Sequence, residues 1–122
     1  MKQPSFVSIG AVCAAVGVAL GAFGAHSLRN SLTPAELSLW DTATRYWQFG
    51  SLGLVLFGLF RAKHPSGAAP GWLLLAGMVL FSVSLYTLAL GGPRGLGAVT
   101  PFGGLALMAG LLVFAWQARG TG

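Results

Sequence analysis

Polar and apolar positions segregate along this chain on the scale of whole segments. Apolar runs near 6–25, 43–60, 72–91 and 98–117 are separated by short stretches where Gly, Pro, Ser, Thr and charged residues collect. About 20 apolar residues cross the hydrocarbon of a bilayer. The pattern therefore predicts one all-α membrane domain over residues 1–122, a four-span antiparallel helical bundle with both termini on one side. Thr33-Pro34-Ala35-Glu36 signals a helix start: Thr33 as N-cap, Pro34 where no amide donor is needed, and Glu36 completing a capping box. From Pro34 to about residue 60 is too long for a plain span. Its first turns carry Glu36, Asp41 and Arg45 among Leu37, Leu39, Trp40, Ala43 and Trp47. This predicts an amphipathic segment along the headgroups before the second span, with a distinct interfacial helix as one form of it.

Small residues are ordered within the spans. Gly10, Ala14, Gly17, Gly21 and Gly24 recur at steps of four and three and include a GxxxG pattern, which predicts a flat face on which another helix packs closely. That makes the first span the expected centre of the bundle, its partner lying in this chain or another. Gly77, Ser84 and Gly91 share a heptad face in the third span, and Gly103, Ala106 and Gly110 share one in the fourth.

Composition narrows the class further. Of 122 residues, 55% are hydrophobic and 7% charged, with a mean hydropathy of +0.76, too apolar for a water-soluble surface of this size. The net charge of +5 comes from scattered Lys and Arg that form no basic stripe, which argues against nucleic acid. Lys2 before an apolar run and Ala22-Phe23-Gly24 resemble a signal peptide, but the run is long for one and a retained span is expected. Lys2, Arg61, Lys63 and Arg119 fall on the side of the termini, and Arg29, Arg45 and Arg94 on the other. Arg61 and Lys63 share a short loop, so cytoplasmic termini are expected. Cys13, the single cysteine, reads as a small buried residue.

Alternating spans bring the candidate chemistry to one membrane face: His26, Asp41, Arg45, Tyr46, Gln48, Ser82, Ser84, Tyr86, Thr87, Arg94 and Thr100. Asp41 and Arg45 have the i, i+4 spacing of an intrahelical ion pair. An inward Tyr86 phenol needs a partner, with Arg45 or Gln48 expected to supply it. Thr100-Pro101 is expected to cap the fourth helix, and with Arg94 nearby it could receive an anion or lipid phosphate. His26 suits a helix C-terminus as well as a proton acceptor's role, and Ser82 and Ser84 can bond their own helix carbonyls. His26 and His64 fall on opposite faces, so no metal site is expected, and no cofactor is implied. Ser84, His26 and Asp41 can be drawn as a hydrolase triad, yet no nucleophile motif supports it. The expectation is a non-enzymatic protein of the lipid bilayer that packs against copies of itself or another membrane protein. The alternative is a small transporter or a lipid- or anion-binding protein using the polar face.

Gly21-Ala-Phe-Gly-Ala-His26, Thr42-Ala43 followed by Arg45-Tyr46, Phe81-Ser-Val-Ser-Leu-Tyr86-Thr-Leu-Ala-Leu90 and Leu96-Gly-Ala-Val-Thr100-Pro101-Phe-Gly-Gly104 together resemble the small bacterial membrane proteins of the YgdD and YwdK type. This is a domain of unknown function with a vertebrate transmembrane relative, and the resemblance covers nearly the whole chain. It implies a multi-span inner-membrane protein and supplies no activity. The family pattern follows Arg-Tyr with Gln and, three residues later, His; here those positions are Trp47 and Gly50, with Gln48 shifted by one.

Overall fold

The structure, a computed structural model, describes residues 5–121. Four α-helices account for most of them: α1 (Phe6–His26), α2 (Pro34–Lys63), α3 (Ala69–Ala89) and α4 (Thr100–Ala118), with a 3₁₀ segment at Arg94–Ala98 leading into α4. The start of α2 follows its sequence signals. The Thr33 hydroxyl accepts from the Glu36 amide at 3.2 Å, and the Glu36 carboxylate accepts from the Thr33 amide at 2.9 Å. With no Gly or Pro between Ala35 and Phe49, nothing interrupts the helix, which runs unbroken for 30 residues, about 45 Å. The amphipathic stretch is thus the first part of α2 and not a helix of its own. The α3–α4 connection turns at Gly91, whose φ of +90° suits a residue without a side chain. Gly91 therefore belongs to the turn and leaves the Gly77–Ser84 face expected of it.

Packing between α1 and α2 is set by missing side chains. A Cβ on Gly10 would lie 2.6 Å from the Ser51 carbonyl oxygen; one on Gly17 would overlap the Gln48 amide, and one on Gly24 the Trp40 indole. Reciprocally, a Cβ on Gly58 would lie 2.7 Å from Val7. Residue numbers in these pairs sum to nearly the same value, the signature of an antiparallel register held along the whole of α1. In hydrocarbon there is little hydrophobic drive for helices to associate, so such close approach and the van der Waals contact it allows stabilise the pair.

The same device joins α3 to α4, where a Cβ on Gly77 would lie 2.6 Å from the Leu107 amide nitrogen and one on Gly110 would lie 3.1 Å from Leu74. Each helix packs mainly on its chain neighbours, which puts α2 and α3 in the middle and α1 and α4 outside. The first span is therefore an outer helix, contrary to the expectation that it would be central: its glycine face is used up by α2. Two buried clusters hold the ends of the bundle. Phe6, Leu54, Phe57, Leu74, Met78 and Leu107 form one on the side of the termini. Leu28, Trp40, Ala43, Leu85, Tyr86 and Ala89 form the other, on the α1–α2 loop side.

Helices α1 and α3 and the Arg94–Ala118 segment are long and apolar enough to cross a membrane. The polar first turns of α2 keep it outside that set, yet its Trp40–Gly58 portion lies alongside α1 from Gly24 to Val7 and so at the same depth. Trp72 and Trp116 are exposed at the terminal side, the latter with the Arg119 guanidinium 3.7 Å from its ring centroid, as interfacial anchors are. Lys2 lies outside the described residues.

The Gly17 notch generates a double-mutant prediction. Gly17→Ala should lower stability by about 1–3 kcal/mol through overpacking. Adding Gln48→Ala should restore most of that loss, read as thermal unfolding midpoints in detergent; equal, additive losses would contradict the notch.

Candidate functional site

At the loop-side end, the residues proposed from sequence divide into an inner set and an outer set. Within the inner set, the Ser82 hydroxyl donates to the Ala43 carbonyl of α2 at 2.7 Å. The Tyr86 phenol lies 2.6 Å from the Thr44 hydroxyl. Because Thr44 donates to the Trp40 carbonyl one turn earlier, at 3.1 Å, its oxygen is left to accept from Tyr86. Ser84 donates to the Phe81 carbonyl at 2.8 Å and shares a 2.6 Å hydrogen bond with Thr100 of α4. Ser82 and Tyr86 thus tie α3 to α2, while Ser84 ties α3 to α4.

Two expectations change here. The partner of Tyr86 is Thr44, not Arg45 or Gln48: its ring, 9% exposed, packs 4.4 Å from the Trp40 ring deep between α2 and α3, where a short side chain suffices. Thr100 is not the cap of α4. The 3₁₀ segment brings Val99 to the cap position in helical conformation with no side-chain cap bond, and the Thr100 hydroxyl turns to Ser84 instead.

Three further bonds fasten α2 to α1. Trp40 Nε1 donates to the Leu20 carbonyl at 2.9 Å, Trp47 Nε1 to Cys13 at 2.7 Å, and Gln48 Nε2 to Ala14 at 3.0 Å. Sequence reasoning placed the tryptophans toward the headgroups and passed over Thr44. The available signal was that an indole N–H inside a membrane must find an acceptor. Trp40 and Trp47 also repeat every seven residues, as Gly10, Gly17 and Gly24 do, so the two stripes match when run antiparallel.

The outer set comprises His26, Asp41, Arg45, Tyr46 and Arg94, all exposed. His26 ends α1, where a cation suits the helix dipole. Asp41 and Arg45 form no ion pair; they lie on an outward stripe with Phe49, Leu52, Leu56 and Leu59, all exposed. Tyr46 leans on Phe81, with ring centroids 4.9 Å apart. Thr87, partly buried, bonds back to the Val83 carbonyl at 2.8 Å. No hydrogen bond links Ser84, His26 and Asp41, so the drawn triad is not assembled. Among the described residues no three His, Cys, Asp or Glu side chains gather.

Because Tyr86 and Thr44 share one bond, Tyr86→Phe and Thr44→Val should each cost about 1 kcal/mol. The double variant should cost less than the sum of the two, as a double-mutant cycle of unfolding midpoints would show.

The family described as "Protein of unknown function (DUF423)" matches residues 20–104. A UPF0382 membrane protein of Staphylococcus haemolyticus is 43% identical over 109 residues, covering 88% of this chain and 89% of the relative. The UPF0382 membrane protein YwdK of Bacillus subtilis is 42% identical over 107 residues, covering 84% and 86%. A Staphylococcus aureus relative of the same description is 37% identical over 109 residues, covering 88% and 89%. No solved structure matches. With every stretch of the inner set from Leu20 to Thr100 inside the matched region, this chain belongs to the DUF423 family of membrane proteins, whose biochemical activity is unknown.

Proposed function

We propose that this is a non-enzymatic, multi-pass protein of the bacterial inner membrane that works by packing α1 against another transmembrane helix, a second copy of itself being the simplest partner. The observation that carries this is the two-sidedness of α1. Its glycine face is spent on α2, while Ala11, Ala15, Ala22 and Ala25 line a separate outward face together with Val18, all exposed. Small side chains at steps of three, four and seven suit close helix approach in lipid. The inner hydroxyls support a structural reading of the polar end, because each hydrogen-bonded chain among them ends on a backbone carbonyl and meets no base. Orientation rests on the Arg61–Lys63 connection, which favours cytoplasmic termini.

Cysteine crosslinking in native membranes tests the packing. In a Cys13→Ala background, Ala15→Cys and Ala22→Cys should give oxidised dimers while Val12→Cys gives few; monomer throughout would overturn the proposal. For orientation, Lys63→Cys should resist an impermeant thiol reagent in intact cells and Arg94→Cys should react. The reverse pattern would invert the topology.

A further inference from the structure

Helices α2 and α4 meet on the side of the termini, where the Phe57 and Phe114 rings are 5.3 Å apart. Toward the loop side they are separated by a groove of about 320 Å³, with Phe81 of α3 at its floor, Tyr46 and Phe49 on the α2 wall and Gly104, Met108 and Leu111 on the α4 wall. The lining is apolar apart from the Tyr46 phenol. One helical turn beyond Phe49, on the same outward stripe, is Arg45. The α1–α2 register, with Gly21 opposite Thr44 and Gly17 opposite Gln48, sets Arg45 level with Leu20, six residues or roughly 9 Å inside the end of α1. It has neither an ion pair nor a hydrogen bond with any described residue. A guanidinium facing lipid at that depth requires an anion, or must snorkel to one.

We propose that the groove seats one acyl chain of an anionic phospholipid, its phosphate held by Arg45. This surface is separate from the outward face of α1, so the two ideas stand independently. Shape favours a chain over a helix: an α-helix with its side chains is 10–12 Å across, while α2 and α4 close on each other at the terminal-side end of the groove, where Phe57 meets Phe114. The rims say the same, since Tyr46, Phe49, Met108 and Leu111 are bulky where helix contacts in membranes use small residues. Charge supports an anionic headgroup. Arg29, Arg45 and Arg94 are exposed at this end of the bundle, while Glu36 is engaged in its capping box and Asp41 leaves Arg45 unpaired.

The test reconstitutes the full chain in nanodiscs with a phosphatidylglycerol carrying a diazirine in its acyl chain, or phosphatidylcholine with the same label, and maps photoadducts by mass spectrometry. Adducts are expected on the Phe49 and Met108 segments, with phosphatidylglycerol favoured about fivefold, the effect of one cation near an anionic lipid. Gly104→Leu should fill the groove and remove those adducts while leaving labelling on the exposed faces of α1 unchanged. Arg45→Gln should keep acyl labelling and lose the headgroup preference. A Cβ at Gly104 would lie 3.6 Å from the Phe81 ring, an ordinary contact, so Gly104→Ala should fold and label as the wild type does. Unchanged groove labelling in folded Gly104→Leu, no preference between headgroups in the wild type, or a crosslink from Phe49 to a second copy would each overturn the proposal. Circular dichroism identifies a misfolded Gly104→Leu, in which case the headgroup preference of Arg45→Gln decides.

Discussion

A polar group inside a bilayer has no water to fall back on. The contact between α1 and α2 is an answer to that constraint. Trp40, Trp47 and Gln48 carry N–H donors along one side of α2, and each reaches the second lone pair of an α1 backbone carbonyl already engaged in its own helix. Reaching it requires the two backbones to come close, and the glycines of α1 permit that by leaving room for the donor side chains themselves. Glycine stripe and donor stripe are therefore one feature. The donor stripe would not be tolerable without the glycines, because against bulky side chains it would bury unsatisfied N–H groups.

This interdependence explains what the sequence made legible. The four apolar segments and the capping box at Thr33 and Glu36 follow from local chemistry and were readable, while for Tyr86 the sequence said only that an inward phenol would need a partner. The partners were not. Glycine spacing on α1 announces a close contact without saying with what, and the choice between an intramolecular and an external helix depends on the matching heptad in α2. Tryptophan added its own ambiguity: amphipathic rings at the edge of a span suit the headgroup level, and only the position of a carbonyl decides that Trp40 and Trp47 turn inward. Thr100 shows a similar competition, in which a side-chain partner across the helix interface prevails over capping its own helix.

The candidate site was legible as a region and not as an assembly. Topology alone gathers the polar residues at one end of the bundle. Whether they cooperate depends on side-chain directions around each helix, and Gln48, Ser82, Ser84 and Tyr86 turn toward three different neighbours. On the exterior, Arg45 stands between Asp41, with which it forms no ion pair, and the apolar run of Phe49, Leu52, Leu56 and Leu59, and a lone cation beside such a run costs stability in lipid unless something outside the chain compensates it.

The residues at which this chain departs from the family pattern tighten that view. Where the pattern places Gln, Trp47 supplies the indole bonded to Cys13. Where it places His, Gly50 gives Met78 its space, for a Cβ there would lie 2.6 Å from the Met78 Cβ. A histidine at this position would need a smaller residue opposite, so the two sites are coupled through packing between α2 and α3. Gln48, displaced by one position onto the α1 side, keeps an amide in the membrane interior, but its Oε1 is buried with no hydrogen-bond partner among the described residues. Its amide N–H is spent on the Ala14 carbonyl. The interior of this bundle is thus specified by how its helices fit against their chain neighbours.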